Sequence, residues 1–342
     1  MVDAICKEIS IRNDYLEEPI QTIYYGGGTP SLLSGEQLVQ IHHALTQTFE
    51  VSSQAEITLE ANPEDLSPQH CETLKSAGIN RLSLGIQTFN DPVLEWMNRA
   101  HDARQATKAF ESARNAGFEN ISVDLIYAIP SNEKVWKEDL NQVVKMNPEH
   151  ISLYGLTVEA KTVLGKWEER GAFQQLEENK AADQYLYAID FLTSNGYLQY
   201  EVSNFGKPNF HSRHNHAYWA GTPYLGLGPG AHSFDGKNRH MNIQNNAQYI
   251  KKINTGTTHY EEEKLTKTQR LNEHILTGLR TAEGINLGLI KDRFQVDLQQ
   301  YYKEVLAELE TKKLLEIGNG HIKLTSNGFL VADEVALRLF FP

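Results

Sequence analysis

The chain has 342 residues, 40% apolar and 22% charged, with 24 glycines and 11 prolines; these are globular proportions and exclude a disordered, collagen-like or low-complexity polymer. Its 32 basic against 44 acidic side chains leave a net charge of −12, which argues against nucleic acid or an anionic membrane as a broad electrostatic partner. Only Cys6 and Cys71 are present, so a disulfide framework and the zinc-finger and thioredoxin spacings are excluded.

The first residues, MVDAICKEISIRND, carry no basic region followed by an apolar one, and no run approaches 18 apolar residues. A cytoplasmic location is therefore expected. From residue 20, short β-rich runs alternate with amphipathic stretches: strands over Ile20–Tyr25, Glu56–Ala61, Asn80–Gly85, Asn120–Tyr127 and His150–Leu156. Helical patterns fill Gly35–Phe49, Pro68–Ala77, Ala103–Ala116 and Glu133–Met146. Ala77-Gly78 and Ala116-Gly117 put a glycine where a left-handed cap closes a helix before the next strand. This βα rhythm predicts a parallel barrel or open parallel sheet with its ligand groups at the C-terminal ends of the strands. A helix over about 179–195 and the run Tyr200–Phe205 close the unit near Gly206.

Residues 206–240 are rich in histidine, glycine and aromatics, too glycine-rich for a plain helix. Helical patterns return over Thr266–Arg280, Asn286–Phe294 and Asp297–Lys312, and Gly318-Asn319-Gly320 between β-like runs signals a hairpin. Helices followed by a hairpin resemble a winged-helix module. From Glu263 onward, however, 11 basic residues balance 11 acidic ones, so packing or partner binding is expected there rather than DNA reading.

Several residues could carry chemistry. Gly26-Gly27-Gly28-Thr29-Pro30 directly follows a strand, and its glycines let the backbone approach a carboxylate or an ammonium group, or simply make a tight turn. No lysine follows, which disfavours a phosphate loop. Glu60, Gln87, Arg99 and Asp124 come from successive strand ends or just beyond. A carboxylate there can take two ribose hydroxyls and an arginine can pair a ligand carboxylate, although each alone is commonly a structural hydrogen-bonding residue. Converging on one rim, they point to a small-molecule site. His211, His214 and His216 lie beside Tyr218 and Trp219, a set that suits heme iron and a flat macrocycle or a loop that caps and packs. Neither GxSxG nor GxGxxG occurs, and two cysteines are too few to hold an iron–sulfur cluster.

Taken together, YYGGGTPSLL, EITLEANPEDL, GINRLSLGIQTFND, NISVDLIYAIP, NPEHISLYGLTVEAKT, YEVSNF and HNHAYW resemble the radical S-adenosylmethionine (SAM) family related to oxygen-independent coproporphyrinogen III oxidase, most closely its heme chaperone branch. The resemblance implies an α/β fold, an incomplete (β/α)6 partial TIM-type barrel with a small C-terminal helical, winged-helix-like domain. Residues 1–205 would form the barrel, 206–262 a connecting segment and 263–342 the C-terminal domain. It further implies that Gly27, Gly28 and Thr29 engage the methionyl ammonium and carboxylate of SAM, that Glu60 and Gln87 line its rim, that Arg99 pairs the carboxylate and that Asp124 holds ribose hydroxyls. His214, opening the HNxxYW signature, is implicated in heme handling. The implied function is to bind heme and deliver it to respiratory-chain heme proteins, with transient membrane association through those partners; coproporphyrinogen III oxidation and a purely structural role are the alternatives. The family also carries a CxxxCxxC motif for a 4Fe–4S cluster on its first barrel strand, which this chain lacks. The resemblance thus places the chain's start at the family's first helix, about one βα unit of some 30 residues downstream. It implies that the polypeptide as given neither assembles the cluster nor cleaves SAM reductively, and that the barrel has an open edge.

Overall fold

A computed structural model describes residues 1–131 and 133–342. The chain opens with α1 (Val2–Ile11), then alternates β1 (Ile20–Tyr25), α2 (Gly35–Thr48), β2 (Val51–Ala61), α3 (Pro68–Ser76) and β3 (Arg81–Gln87). A short α4 (Asp91–Trp96) precedes α5 (Ala103–Asn115), β4 (Asn120–Tyr127), α6 (Glu133–Met146) and β5 (His150–Gly155). Strands β1 to β5 are parallel neighbours in sequence order. After α7 (Val163–Glu169) and α8 (Glu178–Ser194), the short β6 (Leu198–Gln199) and β7 (Asn204–Gly206) complete a seven-stranded half-barrel of order β1-β2-β3-β4-β5-β7-β6. The last two pair antiparallel, so the expected all-parallel sheet is corrected at that end: the turn between Tyr200 and Asn204 is too short for a crossover. At the other end β1 is an edge strand.

The strand alternation separates two faces. Leu59, Leu82, Leu84, Ile121, Val123, Ile151 and Leu153 pack on helix residues such as Leu74, Ala109, Leu140 and Val143 in one core. Each such fully buried aliphatic side chain contributes roughly 1.5–3 kcal/mol. The intervening positions, Thr58, Glu60, Ser83, Ser122, Asp124 and Ser152, are polar and make the inner face. Helices start where their caps place them: Ser34 with Gln37 and Asp102 with Gln105 form reciprocal capping boxes. Gly78 (φ +95°) and Gly117 (φ +86°) turn the chain out of α3 and α5 in the left-handed region.

Two expectations need correction. Strand β2 begins five residues earlier than its apolar pattern suggests, because Val51 pairs with Ile20 across an irregular register. The glycine-rich segment does form a helix, α9 (Arg213–Trp219), with the Ser212 hydroxyl accepting from the Asn215 N–H; its glycines flank the helix rather than interrupt it. Next come β8 (His232–Phe234), β9 (Asn238–Asn242), α10 (Asn246–Thr255) and β10 (Tyr260–Lys264), whose strands form an antiparallel sheet. The fully buried Glu8 of α1 ties this segment down. It accepts from Gly228 N–H (2.8 Å), Asn242 Nδ2 (2.7 Å), His259 Nε2 (2.8 Å) and the Tyr249 hydroxyl.

The C-terminal region holds α11 (Lys267–Leu279), β11 (Ile285–Asn286), α12 (Leu287–Phe294), α13 (Leu298–Tyr301), α14 (Lys303–Thr311), β12 (Leu315–Gly318), β13 (His321–Leu324), α15 (Ser326–Phe329) and α16 (Ala332–Leu337). The hairpin signalled by Gly318-Asn319-Gly320 is β12–β13, joined by β11 in a three-stranded antiparallel wing. The single helix expected over Asp297–Lys312 breaks at Tyr302.

Candidate functional site

Beyond β1 the chain turns at Gly26 and Gly27, the latter with φ +79°. A side chain at Gly26 would put its Cβ 2.6 Å from Tyr24 Cε1 and 2.9 Å from Glu60 Oε1. That close approach fixes glycine here: the loop backbone lies directly on the Tyr24–Glu60 pair. Tyr24 donates to Glu60 Oε1 at 2.8 Å, and Gly27 N–H donates to Glu60 Oε2 at 3.3 Å. Gly28 and Thr29 are exposed on the same loop, and the Thr29 side chain makes no capping bond at the 3₁₀ turn that follows.

The rim continues across the sheet. Glu60 is the register partner of Ser83, whose hydroxyl donates to Asp124 Oδ2 and Oδ1 at 3.1 and 3.2 Å. Asp124 is in turn the register partner of Gly85. Next to Gly85 lie Gln87 Nε2 and Arg99 Nη2, 3.0 and 3.6 Å from where a Cβ would stand. Gln87 itself has φ +71°, a costly conformation for a side-chain-bearing residue that aims it back over the strand ends. Arg99 Nη2 donates to Asn62 Oδ1 (2.8 Å) and Gly85 O (3.1 Å), while its buried Nε has no hydrogen-bond partner among the described residues. Burial pushes the Asp124 carboxyl up to about 6, against the hydrogen bonds from Ser152 and Ser83 and the nearby Arg81 charge, with Glu60 adding to the rise.

His214 sits on α9 against the edge strand. Its Nδ1 is 2.8 Å from Thr22 Oγ1, its ring stacks on Tyr24 at 4.8 Å with planes 21° apart, and Tyr218 stands edge-on at 4.8 Å. Burial, helped by the Arg81 charge, lowers its pKa to about 4, so the imidazole is neutral at physiological pH. Nε2 makes no hydrogen bond among the described residues, and His214 lines a cavity of about 2060 Å³. That volume exceeds the roughly 300–1,000 Å³ of common small-ligand pockets. Tyr24, Tyr218, Tyr224 and Leu225 contribute to its wall.

The structure therefore brings Gly27, Glu60, Gln87, Arg99 and Asp124 onto one rim and joins His214 to it through Tyr24. His211, stacked on Tyr200 at 4.3 Å, and the exposed His216 line the same cavity as His214 without joining the rim. Sequence reasoning missed Thr22 and Tyr24, which face the site four and two residues before Gly26, and His101, which bonds Glu64 Oε2 (3.0 Å) and the Ile86 carbonyl (3.2 Å) beneath the rim. Strand alternation backwards from the glycine loop is the signal that would have found the first two. It also missed Arg81, a fully buried guanidinium whose Nε lacks a partner.

The donor set fits a methionyl nucleoside. Glu60 with the glycine backbone can take an ammonium, the unpartnered Arg99 Nε can add to pairing a carboxylate, and Asp124 can accept from a diol. A 4Fe–4S cluster does not fit the residues present. Cys6 lies on α1 and Cys71 is buried on α3, where burial pushes its thiol up to about 11; among the described residues no group of three potential ligands could hold a metal ion. No helix among these residues is long and apolar enough to cross a membrane.

Comparison with known proteins gives the family and the fold. Residues 7–143 match the profile of the radical SAM superfamily, and residues 265–331 that of the HemN C-terminal domain. The heme chaperone HemW of Lactococcus lactis is 37% identical over 319 residues, covering 93% of this chain and 84% of the relative. The heme chaperone HemW of Bacillus subtilis is 35% identical over 319 residues, covering 92% and 84%. Among solved structures, coproporphyrinogen III oxidase (HemN) from Escherichia coli superposes with a TM-score of 0.83 at 23% identity, over 99% of this chain and 82% of that one. That likeness establishes the fold.

Proposed function

Because the chain belongs to the HemW family of radical SAM proteins, we propose that it is a heme chaperone: it holds heme as cargo in the cavity beside β1 and passes it to respiratory-chain heme proteins. The observation that carries this reading is His214, a neutral imidazole with Nδ1 engaged by Thr22 and Nε2 without a partner among the described residues, in the wall of a cavity of about 2060 Å³. With the proton on Nδ1 and donated to the Thr22 hydroxyl, the Nε2 lone pair is left for iron. Tyr218 and Tyr224 offer flat apolar surface to a macrocycle.

On the rim, Gly27 and Gly28 bring backbone, Glu60 and Arg99 bring opposite charges for the ammonium and carboxylate of SAM, Gln87 covers the strand ends, and Asp124 accepts ribose hydroxyls. Thr29 extends the loop's hydrogen-bonding edge. SAM bound there would supply a sulfonium carrying adenosyl, methionyl and methyl groups. The cluster belongs to the family-level expectation only, and none of the roles given to these side chains requires it.

The test is a hemin titration followed by Soret absorbance, paired with a coproporphyrinogen III turnover assay. Stable hemin binding that His214→Ala weakens supports the chaperone; absence of turnover by itself does not, because the residues present do not fit the cluster. Turnover without stable heme binding would instead make the protein an oxidative decarboxylase. His214→Ala is expected to weaken hemin binding about tenfold or more, the loss of one good ligand contact; an unchanged titration would return His214 to a packing role.

A further inference from the structure

Building on that functional reading, we propose that Tyr24 is a positioning residue through which a cationic ligand group at Glu60 controls access to the His214 imidazole. Strand alternation puts Thr22 and Tyr24 on one side of β1, so a single strand face touches His214 twice, by the 2.8 Å contact to Nδ1 and by the stacked phenol ring. Tyr218, four residues further along α9, closes the ring's edge. The backbone beneath is pinned: Glu56 accepts the N–H groups of Arg213 (3.2 Å) and His214 (3.1 Å). Change at His214 is thereby confined to its side chain and its neighbours.

Among the described residues, the Tyr24 hydroxyl makes one hydrogen bond on its far side, to Glu60. That carboxylate is already divided, Oε1 taking the phenol and Oε2 the Gly27 N–H. An ammonium seated in the glycine loop brings a full positive charge to Glu60 and competes with the phenol for its oxygens, adding ion pairing to a hydrogen bond that the phenol makes to the carboxylate without a charge of its own. It draws Glu60 toward the loop and releases Tyr24. The ring lies so close to the loop that a single added carbon at Gly26 would stand 2.6 Å from it, so displacement of either is felt by the other. Once released, the phenol uncovers the imidazole. By linkage, a ligand on the rim and a metalloporphyrin at Nε2 must then raise each other's affinity by the same factor.

Carbethoxylation of His214 by diethyl pyrocarbonate at neutral pH, localised by peptide mass spectrometry, reads imidazole access without heme. His43, exposed on α2, is the internal reference. Tyr24→Phe keeps the ring and removes its donation to Glu60. It should raise the His214 rate roughly fivefold, the lower range of common coupling factors, with His43 unchanged. Millimolar SAM should do the same in the wild type and add nothing in Tyr24→Phe. Glu60→Gln, which weakens the same hydrogen bond from the other side, should move the rate in the same direction. Equal rates in wild type and Tyr24→Phe, or no response of the wild type to SAM, overturn the proposal. An accelerated rate together with a hemin affinity indifferent to His214→Ala would leave the positioning role standing and refute the heme-ligand reading instead.

Discussion

Replacing Asp124 by Asn should stabilise the protein, and only above mildly acidic pH. Burial raises this carboxyl to about 6 from the usual aspartate value of about 3.9, so the folded state holds the proton more tightly than the unfolded one. The stability attached to that proton is present below about pH 4 and is lost as pH rises toward 6. At roughly 1.4 kcal/mol per tenfold change in proton affinity, the ceiling is about 3 kcal/mol. Asp124 is only partly buried as a residue, which reduces the expected gain to about 1–2 kcal/mol. Asn keeps the shape and remains uncharged, and the Ser83 and Ser122 hydroxyls beside it can rotate to accept from its amide. Urea unfolding of wild type and Asp124→Asn between pH 4 and 8 measures the difference directly. It should rise from near zero at pH 4 to its plateau by pH 7. A difference that stays constant with pH, or a variant less stable than wild type at pH 7, refutes the reasoning that this carboxylate is strained for a ligand.

Glu8→Ala leaves four donors, the buried His259 among them, without their acceptor; breaking such a buried cluster costs about 3–5 kcal/mol, read as a fall in the urea midpoint, with Glu8→Gln losing less. A cost under about 1 kcal/mol would mean that Glu8 does not clamp the 228–259 segment to α1. Gly26→Ala pushes a methyl into Tyr24 and Glu60, so SAM binding by calorimetry should weaken about tenfold or more while the unfolding midpoint stays close to wild type. Unchanged binding would show that the loop is only a turn.

How much of this was legible in the sequence depends on what each residue had to satisfy. Ile20–Tyr25 and Asn120–Tyr127 match their strands residue for residue, because glycine or a helix start punctuates each run. Val51 to Ala55 was missed: Ser52, Ser53 and Gln54 carry no apolar alternation and lie in the register irregularity between the Ile20–Val51 and Thr22–Glu56 pairs. The helix α9 was hidden because seven residues hold too few periodic apolar positions to outweigh the glycines around them. At the site, the rim side chains stood out by chemistry and by their place at strand ends. Tyr24 and Thr22 did not, since an aromatic and a threonine within a strand ordinarily mean β propensity and nothing more. Their role arises from the return of α9, 192 residues later, to the edge of β1, and no local pattern encodes that contact.

The most direct measurement is a crystal structure of the chain soaked with hemin. It should show the macrocycle in the cavity between β1 and α9, with iron at His214 Nε2 and Thr22 still bonded to Nδ1. Hemin bound anywhere else, or in that cavity with His214 turned away from the iron, would contradict it.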